Sequence, residues 1–323
     1  YFMMKGMLGN ATWKLAPTVS LDADYYYFRS DGMSDYGQPF DVTTHEPYKV
    51  DPDNFYGAVG RDFIRNGADI GTAALDWTPS SAVKLRSQTR YGEVSNRYVV
   101  SVPRAPRVVT NAAADLAAGF VPGELVVDTG SPQRNAVTRH LGNITTLTID
   151  ASTGALTHAI VLGGEVSREK VINRRYAFPA FVENQNGDPI GTPSGFTRDL
   201  FDPDPVLGYT IPAVADTGTP PGLTKVDSWS LFALDTLKFG DKWQALLGAR
   251  YDTFDIRATG VSRGTPYDVS SDARFLNYQA SLLYKPAEAV SLYASFATSA
   301  NPSGEQLDST SPEYGGVIGA QNL

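Results

Sequence analysis

The sequence contains no cysteine and only three histidines among its 323 residues. Without cysteine it can form neither a disulfide framework nor a thiolate metal site. It also lacks any apolar run near the roughly 18 residues that a membrane-spanning helix needs. The best stretches are Val108–Gly123, which Asp115 interrupts, and Ala155–Gly164, which is too short. These absences exclude a disulfide-stapled domain and a bundle of transmembrane helices.

Basic charge is also scarce, with 27 lysines and arginines against 35 acidic residues and a formal net charge of −8. This balance argues against nucleic acid as a partner, which would require a basic face. His45 stands beside Glu46 in a polar segment, but zinc would require further ligands. No arrangement of nucleophile, base and acid stands out. We therefore predict a chain that is not an enzyme and holds no metal or cofactor of its own.

What the sequence does contain is alternation of apolar and polar residues with a period of two, which is typical of strands with two different faces. The clearest case places Leu276, Tyr278, Ala280, Leu282 and Tyr284 on one face and Asn277, Gln279 and Ser281 on the other. We predict about ten such strands, each long enough to cross a bilayer at a tilt. Their approximate ranges are 5–14, 18–30, 67–78, 82–98, 138–150, 155–170, 226–239, 242–257, 273–285 and 289–299.

The predicted connections between these strands alternate between short and long. The long ones cover about 31–66, 99–137, 171–225 and 258–272, and they are rich in glycine, proline, aspartate and asparagine. Loops of this length are uncommon in compact soluble domains, whereas outer-membrane barrels have tight periplasmic turns and extended outer loops. The spacing therefore predicts an antiparallel barrel in which all long loops emerge at one end.

Aromatic residues lie close to the predicted strand ends. Those near the short turns are Trp13, Trp77, Trp243 and Tyr284, and those toward the long loops are Tyr25, Tyr27, Tyr91 and Trp229. Aromatic rings collect at the two levels where lipid tails meet headgroups. We expect two such girdles on the lipid-facing side, although strand-end aromatics of a soluble sheet would follow the same spacing.

Several stretches resemble the TonB-dependent siderophore receptors of the bacterial outer membrane. They are Asn54–Thr72, Leu85–Gly92 with Pro103-Arg104 beyond it, His158–Glu169 (HAIVLGGEVSRE), Leu234–Phe239 (LDTLKF), Gly248–Phe254 (GARYDTF) and Ser291–Gln306 (SLYASFATSANPSGEQ). The resemblance implies a barrel of 22 strands with a plugged lumen, a size class that strand geometry also recognises. We therefore expect one all-β domain over residues 1–323. It would be an internal, partial antiparallel transmembrane barrel whose open curved sheet lacks the plug and the remaining strands.

The same resemblance implies TonB-dependent uptake of a ferric siderophore, which is carried as the transported ligand. The implied partners are the siderophore, the TonB energy-transducing complex acting through the plug, and outer-membrane lipid and lipopolysaccharide. Three alternatives remain open at this point. One is a passive porin, which needs 16–18 strands; another is a receptor for haem or a cobalamin; and the third is a ten-stranded barrel hydrolase.

Candidate site residues fall into two groups. Rings and guanidinium groups in the long loops suit an aromatic, negatively charged chelate, and the predicted ligand contacts are Tyr56, Arg61, Arg65, Tyr176 and Phe178. If the apolar faces meet lipid, a second set faces the lumen: Lys84, Arg86, Arg90, Glu165, Arg250 and Asp252. These charges would either pair with one another and with the plug, or guide an anionic complex inward.

Overall fold

The computed structural model describes residues 2–41, 43–177, 182–183, 189–192, 195–206, 214–215, 218–262 and 264–302. In chain order its strands are β1 (Phe2–Ala16), β2 (Val19–Gly32), β3 (Phe40–Asp41), β4 (Glu46–Pro47), β5 (Phe63–Ser80), β6 (Val83–Val99), β7 (Val102–Pro103), β8 (Arg107–Val108), β9 (Leu125–Gly130), β10 (Gln133–Thr153), β11 (Leu156–Arg174), β12 (Tyr176–Ala177), β13 (Val182–Glu183), β14 (Pro189–Thr192), β15 (Gly195–Asp199), β16 (Val214–Ala215), β17 (Gly222–Phe239), β18 (Trp243–Ser262), β19 (Thr265–Ala287) and β20 (Val290–Ala297). One short helix, α1, covers Ala113–Ala117. This helix has five residues, and the described ranges contain no helix that could span a bilayer.

Ten long strands form one antiparallel sheet in the order β1-β2-β5-β6-β10-β11-β17-β18-β19-β20. The order in the sheet is the order in the chain, so each strand pairs with the next long strand along the sequence. The two outer strands, β1 and β20, form the edges and the sheet does not close. The predicted fold, a partial antiparallel barrel that forms an open sheet, is confirmed.

Tight turns join the strands at one end of this sheet. Glycines with positive φ stand in two of them, Gly154 at 63° and Gly240 at 60°, a conformation that glycine adopts at little cost. At the other end, the predicted loop over 258–272 is wrong. There β18 continues to Ser262 and β19 begins at Thr265, because Ile256, Ala258 and their neighbours pack as a small hydrophobic cluster that extends the hairpin.

Strand pairing gives the sheet two distinct faces. Directly paired residues point to the same side, so the pairs Trp243–Tyr284 and Leu247–Ala280 lie on one face. Along β19 the apolar residues of this face are the exposed ones, whereas Asn277 and its polar neighbours are half-buried. A sheet with a water-facing surface would show the opposite pattern. We call the two sides the apolar face and the polar face.

Both predicted sets of aromatic residues lie on the apolar face. The pairing places Trp77 and Trp243 there at the short-turn end and Tyr91 and Trp229 toward the long loops. Trp243 stacks on Tyr284 with ring centroids 4.2 Å apart. From Trp243 to Thr253, which pairs with Trp229, the strand spans about 33 Å, or about 25 Å of height at a tilt of about 40°. This is close to the height of a lipid-facing apolar band.

Between the two aromatic levels, the described part of the apolar face carries two polar clusters. Asn143 donates to Thr89 Oγ1 at 2.9 Å, next to a hydrogen bond of 2.8 Å between Ser87 and Thr145. Farther along the sheet, His158 Nδ1 lies 2.7 Å from Asp235 Oδ2. Polar side chains in an apolar environment are costly unless they bond to one another. These contacts explain why β10 and β17 show less regular alternation in the sequence than β19.

Candidate functional site

Segments of the long loops form a second, smaller sheet beyond the long-loop end of the main one. Its order is β13-β14-β15-β9-β7, with β8 also paired to β9. Arg107 links β8 to α1 and β9 by donating two hydrogen bonds of 2.7 Å to Asp115 and one of 2.7 Å to Asp128. These bonds from Arg107 lower the pKa of the Asp115 carboxyl below its usual value. The loops are therefore built on a scaffold of their own.

Tyr56, a predicted ligand contact, lies inside this loop assembly. Its ring is only 1% exposed and packs against Val127 of β9 and Leu200, which follows β15. The phenol hydroxyl donates to the Leu200 carbonyl at 2.5 Å, and burial raises the pKa of Tyr56. In this arrangement Tyr56 joins the first three long loops to one another.

Arg61, a second predicted contact, forms a buried ion pair with its neighbour Asp62. The side chains are 0% and 1% exposed, and Nη2 lies 2.8 Å from Asp62 Oδ1. Arg61 also donates to Ser131 Oγ and Ser101 Oγ, both at 2.8 Å. Ser101 in turn donates to Asp62 at 2.6 Å. The network ties the base of the first long loop to the second.

Arg65 and Tyr176 both contact the ring of Phe63. Arg65 Nε donates to Asp31 Oδ2 at 2.9 Å, with both side chains about half exposed, and its guanidinium lies over the Phe63 ring. Tyr176 meets that ring edge-on, with centroids 5.6 Å apart. Phe178, the fifth predicted contact, lies outside the described residues. The four described candidates thus occupy the loop bases, and whether they touch a ligand stays a prediction.

Arg198 on β15 is a candidate that sequence reasoning missed. Its side chain is 4% exposed, and within the described part of the chain Nε and Nη2 have no hydrogen-bond partner. Both Arg198 and Arg61 place their guanidinium groups within 5 Å of the Phe196 ring centroid. Burial lowers the pKa of Arg198 to about 10. Its burial depends on β15 pairing with β9, some 65 residues earlier, which no local pattern in the sequence reveals.

The six predicted lumen-facing residues all lie on the polar face by strand register. On the β6 side, Arg86 Nη1 lies 2.5 Å from Asp76 Oδ2 and 4.0 Å from Asp22, and Arg90 Nε donates to Thr72 Oγ1 at 3.3 Å. Lys84 occupies the same face at the short-turn end of β6. The charges are therefore grouped rather than scattered.

A second group centres on Arg250. Its Nε donates to Asp252 Oδ1 at 2.7 Å, and its Nη2 donates to Glu165 Oε2 at 3.0 Å. Ser230 accepts a bond from Arg250 and donates one of 2.6 Å to Asp252. Arg250, Glu165 and Asp252 thus satisfy one another, as the pairing alternative expects. In the described ranges, no group of three or more histidine, aspartate or glutamate side chains is arranged to hold a metal ion.

Comparison with known families matches residues 10–323 to the model described as TonB dependent receptor-like, beta-barrel. The chain belongs to this family. Its members are outer-membrane barrels, which places this barrel segment in that membrane. Among curated relatives, the chain is 28% identical over 86% of its length to the probable TonB-dependent receptor BfrD of Bordetella pertussis. It is 26% identical over 93% of its length to the probable TonB-dependent siderophore receptor PiuA of Acinetobacter baumannii.

Solved structures of this family share the fold. The siderophore receptor PiuA from Acinetobacter baumannii superposes with a TM-score of 0.74 at 23% identity, covering 94% of this chain and 43% of that one. The ferric-catecholate import receptor Fiu from E. coli K12 gives 0.75 at 19% identity, covering 93% and 47%. The chain spans 37% of the BfrD sequence and 40% of the PiuA sequence. It therefore corresponds to less than half of such a receptor.

Proposed function

We propose that this chain is part of the barrel of a receptor that takes up a ferric siderophore across the bacterial outer membrane, energised through TonB. The observation that carries the proposal is the family match over residues 10–323, together with relatives named as siderophore receptors. The iron arrives already chelated, so uptake requires binding and release rather than bond-making chemistry. Lipid and lipopolysaccharide of the outer membrane would surround the barrel, and TonB would act through a plug domain.

The loop bases suit an anionic chelate. Arg198 is a buried cation with two nitrogens lacking partners among the described residues, and it lies beside the Phe196 ring and Arg61. A buried guanidinium without such partners is costly, and an incoming carboxylate or catecholate oxygen would offset that cost. We propose that Arg198 joins the predicted contacts Arg61, Arg65 and Tyr176 in binding the cargo when the loops rearrange, together with Tyr56 and Phe178.

Two arginines on the polar face support a role for this face in guiding the cargo. Arg86 and Arg250 project from separate strands of that face, and each is already anchored by carboxylates. Anchored guanidinium groups keep further N–H donors available for a passing anion. A passive porin is the second candidate, and the match of residues 10–323 to the TonB-dependent receptor barrel favours the receptor over it.

Growth on single iron sources tests the proposed uptake. The full-length gene, expressed in a strain lacking its own siderophore synthesis and receptors, is expected to restore growth on at least one ferric siderophore. Deleting TonB should abolish that growth, because the energy comes from the inner membrane. Haem and cobalamin serve as alternative cargoes in parallel cultures. Growth that persists without TonB would contradict the proposal and favour a passive channel.

A further inference from the structure

The guanidinium group of Arg198 leaves one complete edge without a partner. Its Nε and Nη2 atoms are buried, and among the described residues neither has a hydrogen-bond partner. These two nitrogens share one edge of the planar group, so their N–H bonds point in nearly the same direction. Two parallel donors of this kind match the two oxygens of a single carboxylate. We call this pair of nitrogens the side edge of Arg198.

Other arginines of the chain use the same edge to hold a carboxylate. Arg107 donates from Nε and Nη2 to the two oxygens of Asp128, at 2.7 and 3.1 Å. Arg257 donates from Nε and Nη2 to the two oxygens of Asp268, at 2.9 and 2.5 Å. Each pair is bidentate, with one guanidinium edge against one carboxylate. Arg198 offers the same pair of donors to a partner that the described residues do not supply.

The carboxylates whose charges act on Arg198 are engaged elsewhere. They belong to Asp204 and Asp62. Asp62 is paired with the buried Arg61, and Asp204 accepts a hydrogen bond from the backbone N–H of Val206 at 3.0 Å. Within the described ranges, Arg198 forms no salt bridge. Because a buried cation without a counter-charge in contact is costly, a carboxylate at the side edge would stabilise this part of the loops.

The backbone and side chain of Arg198 are held in place before any ligand arrives. Arg198 lies in the ladder between β15 and β9, where it pairs with Val127. Val127 and Leu200, on either side of this ladder, are 0% exposed. The ring of Phe196 on the same strand lies 4.7 Å from the guanidinium carbon. A side chain fixed in this way loses little freedom on binding, which favours affinity.

We propose that Arg198 recognises a free carboxylate on the transported ferric chelate, which binds the side edge through both of its oxygens. The cargo is then a chelate with at least one carboxylate that does not coordinate the iron. Oxygens that coordinate the iron, such as those of a catecholate, do not offer a comparable pair on one carbon atom. The inference rests on the proposed uptake function and narrows its cargo to one chemical class.

Paired ferric chelates test this cargo class. In each pair one chelate ends in a succinyl group, which has a free carboxylate, and the other ends in an acetyl group, which has none. One pair is built on the trishydroxamate desferrioxamine B and the other on a tris-catecholate. Each chelate is titrated into the full-length receptor in detergent, and quenching of tryptophan fluorescence reports binding. In at least one pair, the succinyl form is expected to bind at least about tenfold more tightly than the acetyl form.

Two substitutions assign this preference to the side edge. Arg198→Gln should bring the two affinities within about twofold of each other, because the charge and the paired donors are both lost. Arg198→Lys should keep an intermediate preference, because an ammonium group attracts a carboxylate but does not match both of its oxygens. The acetyl form should bind both variants within about twofold of wild type, which excludes a folding defect. The matched control is Arg257→Lys, whose edge Asp268 already occupies, and it should keep the full preference.

Several results would overturn the proposal. They are equal affinities within both pairs, no binding of either succinyl form, and a preference that persists in Arg198→Gln. Loss of acetyl-form binding in Arg198→Gln would also overturn it, by indicating that Arg198 only braces the loops. TonB-dependent growth on a ferric siderophore, without any preference for a carboxylate, would leave the uptake proposal standing. The side edge would then pair with an acidic residue elsewhere in the receptor.

Discussion

Replacing Ala280 with arginine in the full-length receptor is expected to lower the free energy of unfolding by about 2–4 kcal/mol. Ala280 lies on the apolar face, four residues from Tyr284 in one girdle and six from Arg274, which pairs with Thr253 at the level of Trp229 in the other. It is therefore close to the middle of the span between the two aromatic levels, where a cation is farthest from water. The measurement is reversible unfolding in bilayers by denaturant titration.

The matched control is Gln279→Arg, one position away on the polar face. Facing an aqueous lumen, this arginine should change the unfolding free energy by less than about 1 kcal/mol. Asp235 lies two strands from Ala280 on the apolar face and could form an ion pair with the new arginine, although His158 already contacts Asp235. Measuring both variants in an Asp235→Asn background removes this ion pair. Equal stability losses at positions 279 and 280 would mean that the two faces do not differ as described.

Removing the Asp62 side chain is expected to destabilise the loop base by about 3–5 kcal/mol, because it leaves the Arg61 guanidinium buried without its counter-charge. Asp62 also accepts hydrogen bonds from Ser101 and from the backbone N–H of Ala58. Asp62→Ala should therefore speed amide hydrogen exchange at the loop segments the network joins, around residues 58–62, 99–101 and 129–131. The exposed Asp53 of the same loop supplies the control, and Asp53→Ala should leave exchange unchanged.

The same variants separate two roles for Arg61. If Arg61 only braces the loop, Arg61→Ala and Asp62→Ala should weaken ferric-siderophore binding to the same extent. If Arg61 also contacts the anionic cargo after the loops rearrange, Arg61→Ala should weaken binding further and flatten its dependence on salt, because a charge-assisted contact has been lost. Protected amides in Asp62→Ala would contradict the bracing role itself.

The long strands were predictable because their physical cause is local. A strand with lipid on one side and polar groups on the other must alternate, and Leu276 to Tyr284 does so without interruption. The girdle aromatics were predictable for a related reason, since Trp77 and Trp243 stand beside short turns that the sequence marks with proline or glycine. In both cases the residues that make the structure predictable are close together in the sequence.

The extended hairpin over 258–272 was predicted as a loop because its composition resembles one. Gly260, Pro266 and several charges interrupt its alternation. What keeps it extended is a contact between strands, since Ile256 and Ala258 pack with Tyr267 and Val269. The residue pattern along a single strand does not reveal such packing between two strands.

The loop scaffold could not be predicted from the sequence, because the strands that form it are far apart in the chain. Its central pair joins β9 to β15 across about 65 residues of sequence, and the burial of Tyr56, Arg61 and Arg198 follows from that pairing. Residue type alone marked Tyr56 and Arg61 as ligand contacts and gave no sign that their polar atoms are already engaged. Arg198, with two nitrogens unpartnered among the described residues, could be recognised only once its surroundings were known.

The apolar face of the sheet is expected to meet lipid and the polar face to meet water. Nitroxide labels on single cysteines at positions 276–284 of the full-length receptor in bilayers test it directly, since this chain has no cysteine of its own. Labels at Leu276, Ala280 and Leu282 should be relaxed mainly by dissolved oxygen, and those at Asn277, Gln279 and Ser281 mainly by a water-soluble nickel complex. A scan without this two-residue alternation, or with the opposite phase, would contradict the account.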